Sequence, residues 1–316
     1  MKIYISFRFI FLLLFENFII FVCSDEMVSY DLKLSKAFKM NNGNIIVAGN
    51  TQINTYGSNG INSLYSYTLA STNQITSENE AGYTNFAQFS EENNGIGIIT
   101  MKKFLYILNN VGEIQFEYEH KIDLSNTQFF SVVPYIYKDN YYHFILGYIN
   151  QNKKAYLQYY FIDLPNETLI IKGFYLFDEN DDDRKSVEYN YGISCQFMNH
   201  EEYKIVLTCF YQNNYPKEIS AKSFKLRNNN IEEIPDLKAS YSETSSFCIQ
   251  SATSLDKKNT LLCYIKNNYK LIGYCAVYNI DDNSFYKNKE YISSQCQTDI
   301  YRIGVNYYKE TKEYIF

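Results

Sequence analysis

The sequence predicts an all-β chain built from a repeated unit, and three observations carry that prediction. Apolar residues alternate in period two: in AYLQYYFID (Ala155–Asp163), Tyr156, Gln158 and Tyr160 fall on one face and Leu157, Tyr159 and Phe161 on the other, as in a strand. Tyr (33) and Phe (23) are abundant and Trp is absent; both aromatics suit a pleated, half-buried surface. An apolar run, a polar turn and a second apolar run recur six times along the chain.

The six hairpin units follow in order. They are AFKMNNGNIIVAG (Ala37–Gly49), FAQFSEENNGIGIIT (Phe86–Thr100), VVPYIYKDNYYHFILGYI (Val132–Ile149), ISCQFMNHEEYKIVLTCFY (Ile193–Tyr211), CIQSATSLDKKNTLLCYI (Cys248–Ile265) and IYRIGVNYYKETKEYIF (Ile300–Phe316). Residues early in each second run, namely Ile46, Ile98, Ile145, Leu207, Leu262 and Tyr314, are spaced 52, 47, 62, 55 and 52 apart. Further strands are expected after each hairpin. NSLYSYTLA, FLYILNN, AYLQYYFID, ISAKSFKL and LIGYCAVYNI take a third place, and GEIQFEYEHKI, TLIIKGFYLF and SFYKNKEYI a fourth. The sixth unit stops inside its second strand, so the last unit reads as truncated, with MVSYDLKL (Met27–Leu34) available to supply one strand.

A period near 50 carrying several short strands resembles the β-propeller repeat proteins. The resemblance covers roughly Leu34–Phe316 and rests on period and strand count alone. The Trp-Asp dipeptide, the kelch double glycine and the sialidase Asp box are all missing. It implies an all-β, propeller-like domain of about five to six blades, incomplete at the end; a β-sandwich pair or a β-solenoid is the alternative.

The chain opens MKIYISFRFIFLLLFENFIIFVCSDE, with Lys2 and Arg8 ahead of an apolar stretch and Val22-Cys23-Ser24 before Asp25. This reads as a signal peptide over residues 1–24. A membrane anchor is the weaker reading, because Glu16 interrupts a run already short of the ~20 apolar residues a span requires. The rest, 25–316, is then one repeat-built domain with no expected membrane span. Removing 1–24 takes two basic residues and one acidic, so the net charge moves from −6 to −7. A chain of that charge with no basic cluster is a poor nucleic-acid binder.

Six cysteines remain beyond Cys23: Cys195, Cys209, Cys248, Cys263, Cys275 and Cys296. An even number behind a secretory signal is expected to form disulfides. In an antiparallel hairpin Cys195 opposes Cys209, Phe197 opposes Leu207 and Asn199 opposes Ile205, setting apolar on apolar. The preferred pairing is Cys195–Cys209, then Cys248–Cys263 with Cys275–Cys296. Cys263–Cys275 across the IKNNYK hairpin is the rival. The spacings are too long for a zinc site.

Little else carries chemistry. His120, His143 and His200 are isolated, His143 reading as a partly buried structural residue and His200 as a turn residue. DENDDDR (Asp178–Arg184) fails as a calcium loop, with Asp183 where Gly is required and Tyr189 where the bidentate Glu belongs. Phosphate-cradling loops, nucleophile elbows and dinucleotide fingerprints are absent, so no cofactor or metal is expected. Asn166-Glu167-Thr168 is the one N-glycosylation sequon, making Asn166 the candidate acceptor. The functional expectation is a secreted or cell-surface binding module, not an enzyme, whose partner is an extracellular protein or carbohydrate. The alternatives are a glycosidase-like hydrolase with carboxylates around a central channel and a fragment of a larger surface protein.

Overall fold

The computed structural model of the 316-residue chain describes residues 13–15, 18–23, 26–31, 36–60, 62–76, 84–89, 96–101, 104–119, 130–149, 155–177, 193–213, 218–241, 246–267, 271–290, 306–308 and 313–315. These hold strands and turns, and among them there is no helix. An antiparallel sheet comes first: β1 (Leu13–Phe15), β2 (Phe18–Cys23) and β3 (Glu26–Asp31). Its β2–β3 pairing spans the expected cleavage point, and β3 holds most of the segment expected to supply a closing strand.

Five four-stranded sheets follow, each a simple antiparallel meander in chain order. Blade 1 is β4 (Lys36–Lys39), β5 (Ile45–Ala48), β6 (Gln52–Tyr56) and β7 (Ser63–Thr68). Blade 2 is β8 (Asn85–Gln88), β9 (Gly97–Met101), β10 (Phe104–Leu108) and β11 (Ile114–Glu119). Blade 3 is β12 (Phe130–Lys138), β13 (Tyr141–Ile149), β14 (Ala155–Asp163) and β15 (Thr168–Leu176). Blade 4 is β16 (Ile193–His200), β17 (Lys204–Asn213), β18 (Glu218–Arg227) and β19 (Asn230–Tyr241). Blade 5 is β20 (Ser246–Thr253), β21 (Asn259–Asn267), β22 (Leu271–Asn279) and β23 (Ser284–Glu290). A two-stranded sheet, β24 (Asn306–Tyr308) with β25 (Glu313–Ile315), comes last. This is the serial blade construction of a β-propeller.

The six spacing residues each fall on the second strand of their sheet: β5, β9, β13, β17, β21 and β25. One third-place assignment and one missing fourth strand need correction. NSLYSYTLA is the fourth strand of blade 1, because the short polar QINTY forms the third. Blade 4 gains β19, which holds Pro235 and two adjacent glutamates and so lacks the usual strand pattern.

The chain divides into two compact units, 1–125 and 126–316. In the first, Ile46, Ile53, Ile99, Tyr106 and Leu108 form the core between blades 1 and 2. In the second, β12 contacts β16 and β16 contacts β20, while β15 contacts β19 and β19 contacts β23. First strand thus lies by first strand and fourth by fourth, so blades 3, 4 and 5 stack face to face. Both faces of blade 4 are therefore covered. One carries Cys195, Phe197, Leu207, Cys209 and Phe224 against blade 3. The other carries Met198, Val206, Phe210 and Ala221 against blade 5. Double-sided burial explains why KIVLTCFY is almost continuously apolar.

Candidate functional site: the turn end of the seam between blades 3 and 4

In a meander the first-to-second and third-to-fourth turns lie at one end of the sheet, called here the turn end. Between blades 4 and 5 that end is bridged by polar groups. The Glu201 amide donates to Asp281 Oδ1 (3.0 Å), the Asn199 amide to the Lys257 carbonyl (2.9 Å) and Asn199 Nδ2 to the Asp256 carbonyl (2.9 Å). Lys258 Nζ joins Asp281 at 2.7 Å and Glu201 at 3.4 Å. Burial pushes the Asp281 carboxyl up, but the Lys258 ammonium and the Glu201 amide hold it below its ordinary value.

Blades 1 and 2 are clasped in the same way. Asn42 Nδ2 donates to the Asn110 carbonyl (2.8 Å), Asn44 Nδ2 to the Val111 carbonyl (3.0 Å) and Thr55 Oγ1 to the Gly112 carbonyl (2.6 Å). Gly112 is required there: its φ is +95°, and a Cβ would lie 2.6 Å from the Thr55 methyl.

The seam between blades 3 and 4 is built differently. The β12–β13 turn is only Asp139–Asn140, both at positive φ (52° and 66°), the two-residue type I′ geometry that Asp and Asn tolerate. Two of its polar contacts are local: Tyr137 Oη donates to Asn140 Oδ1 (3.5 Å), and Lys138 pairs with Asp139 at 3.9 Å. A bulge between Pro134 and Ile136 leaves Tyr135 without a cross-strand partner, and its ring stacks on Phe197 of blade 4 at 4.7 Å. Register then sets Ile136 opposite His143, and His143 opposite Phe161, on the face toward blade 4. On blade 4, Ile205 opposes Asn199, one step beyond the Phe197–Leu207 pair. Ile136 and Ile205 remain 41% and 50% exposed.

Beneath this rim His143 is buried. Its Nδ1 lies 2.9 Å from Tyr159 Oη and its Nε2 3.4 Å from the Lys138 carbonyl. A carbonyl only accepts, so Nε2 carries the proton and Nδ1 accepts from Tyr159. Burial holds the imidazole pKa below its ordinary value, against an opposing hydrogen bond to Lys138. Phe161 packs at 3.8 Å from the His143 ring, and Lys172 Nζ stands 5.2 Å over Phe161.

The outer part of the same seam holds a cluster of charged groups. β19 bulges between the partners of Lys222 and Phe224, which brings Glu233 and Lys238 together. Lys238 Nζ is 2.5 Å and Lys222 Nζ 4.0 Å from Glu233, and Tyr175 Oη of blade 3 donates to the same carboxylate. Lys222 also donates to the Phe177 carbonyl (3.2 Å). Burial raises the Glu233 carboxyl, but Lys238, Tyr175 and Lys222 outweigh it and the net shift is downward. An ionised carboxylate held by two ammonium groups is no proton donor near neutral pH; the cluster holds β15 to β19. Gly173 lets the Asn229 backbone approach, since a Cβ there would meet its carbonyl oxygen at 2.5 Å.

The expected site residues fall as follows. Cys195 is bonded to Cys209, and Cys263 to Cys275. The pairing of Cys248 with Cys263 and Cys275 with Cys296 gives way to the rival. A bulge between Phe247 and Gln250 puts Gln250 opposite Cys263 on one side, while Cys275 lies directly opposite on the other. Cys248 sits on the β20 backbone, and Cys296 lies outside the described residues. Asn166 is exposed in the β14–β15 turn, its Nδ2 donating to Asp163 Oδ2 at 2.8 Å. His200 Nδ1 accepts from the Glu202 and Tyr203 amides at 3.1 and 3.2 Å. His120 and Asp178–Arg184 lie outside the described residues. Among the described residues no cluster of His, Cys, Asp or Glu could hold a metal ion, and no helix is long and apolar enough to cross a membrane. Sequence reasoning did not single out Ile136, Ile205, Lys172 or Glu233. The shortness of KDN beside the other hairpin turns was the one available signal.

No family model and no curated protein matches this chain. Among solved structures, it is similar to the WD40 domain of SCAP from fission yeast (8% identity, 90% of this chain and 86% of that one, TM-score 0.39). It is similar to a mutant of the Aleuria aurantia lectin AAL in complex with Fucalpha1-6GlcNAc (10%, 85% and 79%, TM-score 0.48). It is also similar to a protein of unknown function from Bacteroides caccae (12%, 84% and 86%, TM-score 0.43). Each TM-score is below 0.5, and the blade architecture rests on the strand order above.

Proposed function

We propose that this chain is a secreted or surface-displayed binding module that docks a partner at the turn end of the seam between blades 3 and 4. The observation that carries the reading is a contrast. The corresponding ends between blades 1 and 2 and between blades 4 and 5 are bridged by hydrogen bonds, whereas this one exposes Ile136 and Ile205 beside a stacked Tyr135–Phe197 pair. Exposed branched apolar side chains around an aromatic anchor on a rigid sheet edge suit recognition, because a partner removes them from water without ordering a loop. Secretion is supported by the two disulfides, which belong to oxidising compartments, and by the leader-like residues 1–24. Asn166, exposed in its turn, is the proposed glycan acceptor on the secretory route.

A display selection tests the docking reading. Random peptides are selected on the immobilised full chain, secreted from a eukaryotic host, and the enriched set is rescreened on variants. Enrichment is expected to collapse on the Ile136→Ser/Ile205→Ser double variant and to survive Leu64→Ser, an exposed apolar control in blade 1. Enrichment that survives the double variant would remove the seam as the docking surface.

A further inference from the structure

Blade 1 carries a feature independent of the docking seam. Residues 40–77 contain no Asp, Glu, Lys, Arg or His, in a chain that is 20% charged. They include β7, the outer strand of blade 1, where Ser63, Leu64, Ser66 and Thr68 are exposed. The other outer strands carry the devices that keep an edge from pairing. These are Glu117 and Glu119 on β11, Lys172 at a bulge on β15, Pro235 beside Asp236 on β19, and Lys287, Lys289 and Glu290 on β23. The one bulge of β7 falls at Leu64, and from Tyr65 to Thr68 the strand is regular, uncharged and free of proline. Its backbone also faces the right way. The Leu69 amide donates to the Thr51 carbonyl (2.8 Å), in the register that pairs Tyr67 with Ile53 and Tyr65 with Thr55. Antiparallel ladders alternate bonded and non-bonded pairs, so Tyr65 and Tyr67 direct their backbone groups at β6, and Ser66 and Thr68 turn theirs outward. Among the described residues no strand takes them up. Outward amides and carbonyls at strand spacing are satisfied by another extended strand.

We infer that β7 is a self-association edge, to which a second copy of this chain adds its own β7 in antiparallel fashion. The register is self-complementary. With a two-fold axis at Ser66, Ser66 meets Ser66 of the partner subunit, Thr68 meets Leu64 of the partner subunit, and Tyr65 meets the partner subunit's Tyr67. Outward backbone groups then oppose outward backbone groups, and Tyr on Tyr is a favourable cross-strand pair. Charge favours the same occupant. Two copies of net charge −6 repel on most approaches, and a charge-free blade is where that repulsion is least. The carboxylate that reaches β7 is Glu117 of blade 2, which accepts from Tyr67 Oη (3.1 Å). An uncharged edge offers nothing to select a charged partner, whereas its register matches itself. The pairing occupies β7 in both copies, so assembly closes at a dimer.

Sedimentation velocity of the full secreted chain over a concentration series tests this. A monomer is expected to pass to a dimer with a Kd of about 10–100 µM, because one strand pair makes a small interface. Ser66→Pro removes the central outward amide and leaves the pairing with β6 intact. Ser66→Lys sets two ammonium groups together at the axis. Each should weaken the dimer about tenfold or more, as proline and lysine do on natural edges. Gln115→Lys on the outer strand of blade 2 and the Ile136→Ser/Ile205→Ser double variant should leave the dimer unchanged, and melting curves confirm that the variants are folded. A monomer at every concentration, species larger than a dimer, a dimer that survives Ser66→Lys, or one lost in the Ile136/Ile205 double variant would overturn the inference. So would a monomer that captures display-selected peptides through Ser66, because the edge would then serve another protein's strand.

Discussion

Ile136 and His143 are cross-strand partners on β12 and β13, one 41% exposed and the other 7%. The apolar rim of the candidate site thus sits directly on a buried, neutral imidazole. His143 is faced by Tyr159, Phe161 and the Lys138 carbonyl, with Lys138 and Asp139 as the charges that act on it.

Burial lowers the His143 pKa in the folded chain, so the unfolded chain binds the proton more readily. Stability is then flat above the unfolded value of ~6.5 and falls as pH drops through it toward the folded pKa. The depressed carboxylates Glu233, Asp256 and Asp281 act lower, losing their contribution only as pH falls below ~4.5. Urea unfolding between pH 7 and 5 is expected to show a decline in wild type that His143→Gln largely removes. A wild-type curve with the same slope as the variant would mean that His143 does not titrate in this window.

Glu233 neutralises Lys222, whose side chain is only 15% exposed. Glu233→Gln keeps the shape and removes the negative charge that faces that ammonium. The expected cost is roughly 1–2 kcal/mol, below that of a fully buried pair because Lys238 is half exposed. Lys222→Met in the same background should recover part of it. A double-mutant cycle in chemical denaturation with a coupling near zero would show that the pair adds nothing to the joining of β18 with β19.

Cys195–Cys209 and Cys263–Cys275 close loops of sequence separation 14 and 12, each expected to contribute roughly 3 kcal/mol by restricting the unfolded chain. Alkylation of the unreduced chain in denaturant should leave these four cysteines unlabelled, and peptide mapping should recover a Cys263–Cys275 crosslink. Recovery of Cys248 bonded to Cys263 would refute the β21–β22 register. Replacing Cys195 and Cys209 with Ala should lower stability more than an exposed Ile205→Ser change, which touches no such restraint.

The repeat was legible because burial on both faces of a blade forces its second strand to be continuously apolar, and Ile46, Ile98, Ile145, Leu207 and Leu262 record that every fifty or so residues. The Cys195–Cys209 register was legible because only that alignment sets Phe197 on Leu207. β6 and β19 were not, since QINTY is short and polar and β19 interrupts itself with a bulge at Pro235. The candidate site was hidden for a different reason. Ile136 reads as one more apolar strand residue, and its exposure follows from a two-residue turn and a bulge whose effect appears only once blade 4 is set against it.

Gln212 lies fully buried on β17, and neither its amide nitrogen nor its amide oxygen has a hydrogen-bond partner. It follows Tyr211 and precedes the end of the strand, opposite the buried Ile219. An amide taken out of water with no bond in return costs about 1–3 kcal/mol. Gln212→Met has nearly the same shape and no such obligation, so it is expected to stabilise the chain by roughly 1 kcal/mol, read as a higher midpoint in urea with an unchanged slope. A lower midpoint would mean that the amide is bonded in solution, with an ordered buried water as the partner. Hydrogen exchange at the Tyr211 and Ile219 amides would then separate the two cases, because a water anchored on Gln212 raises protection there and its loss in the Met variant lowers it.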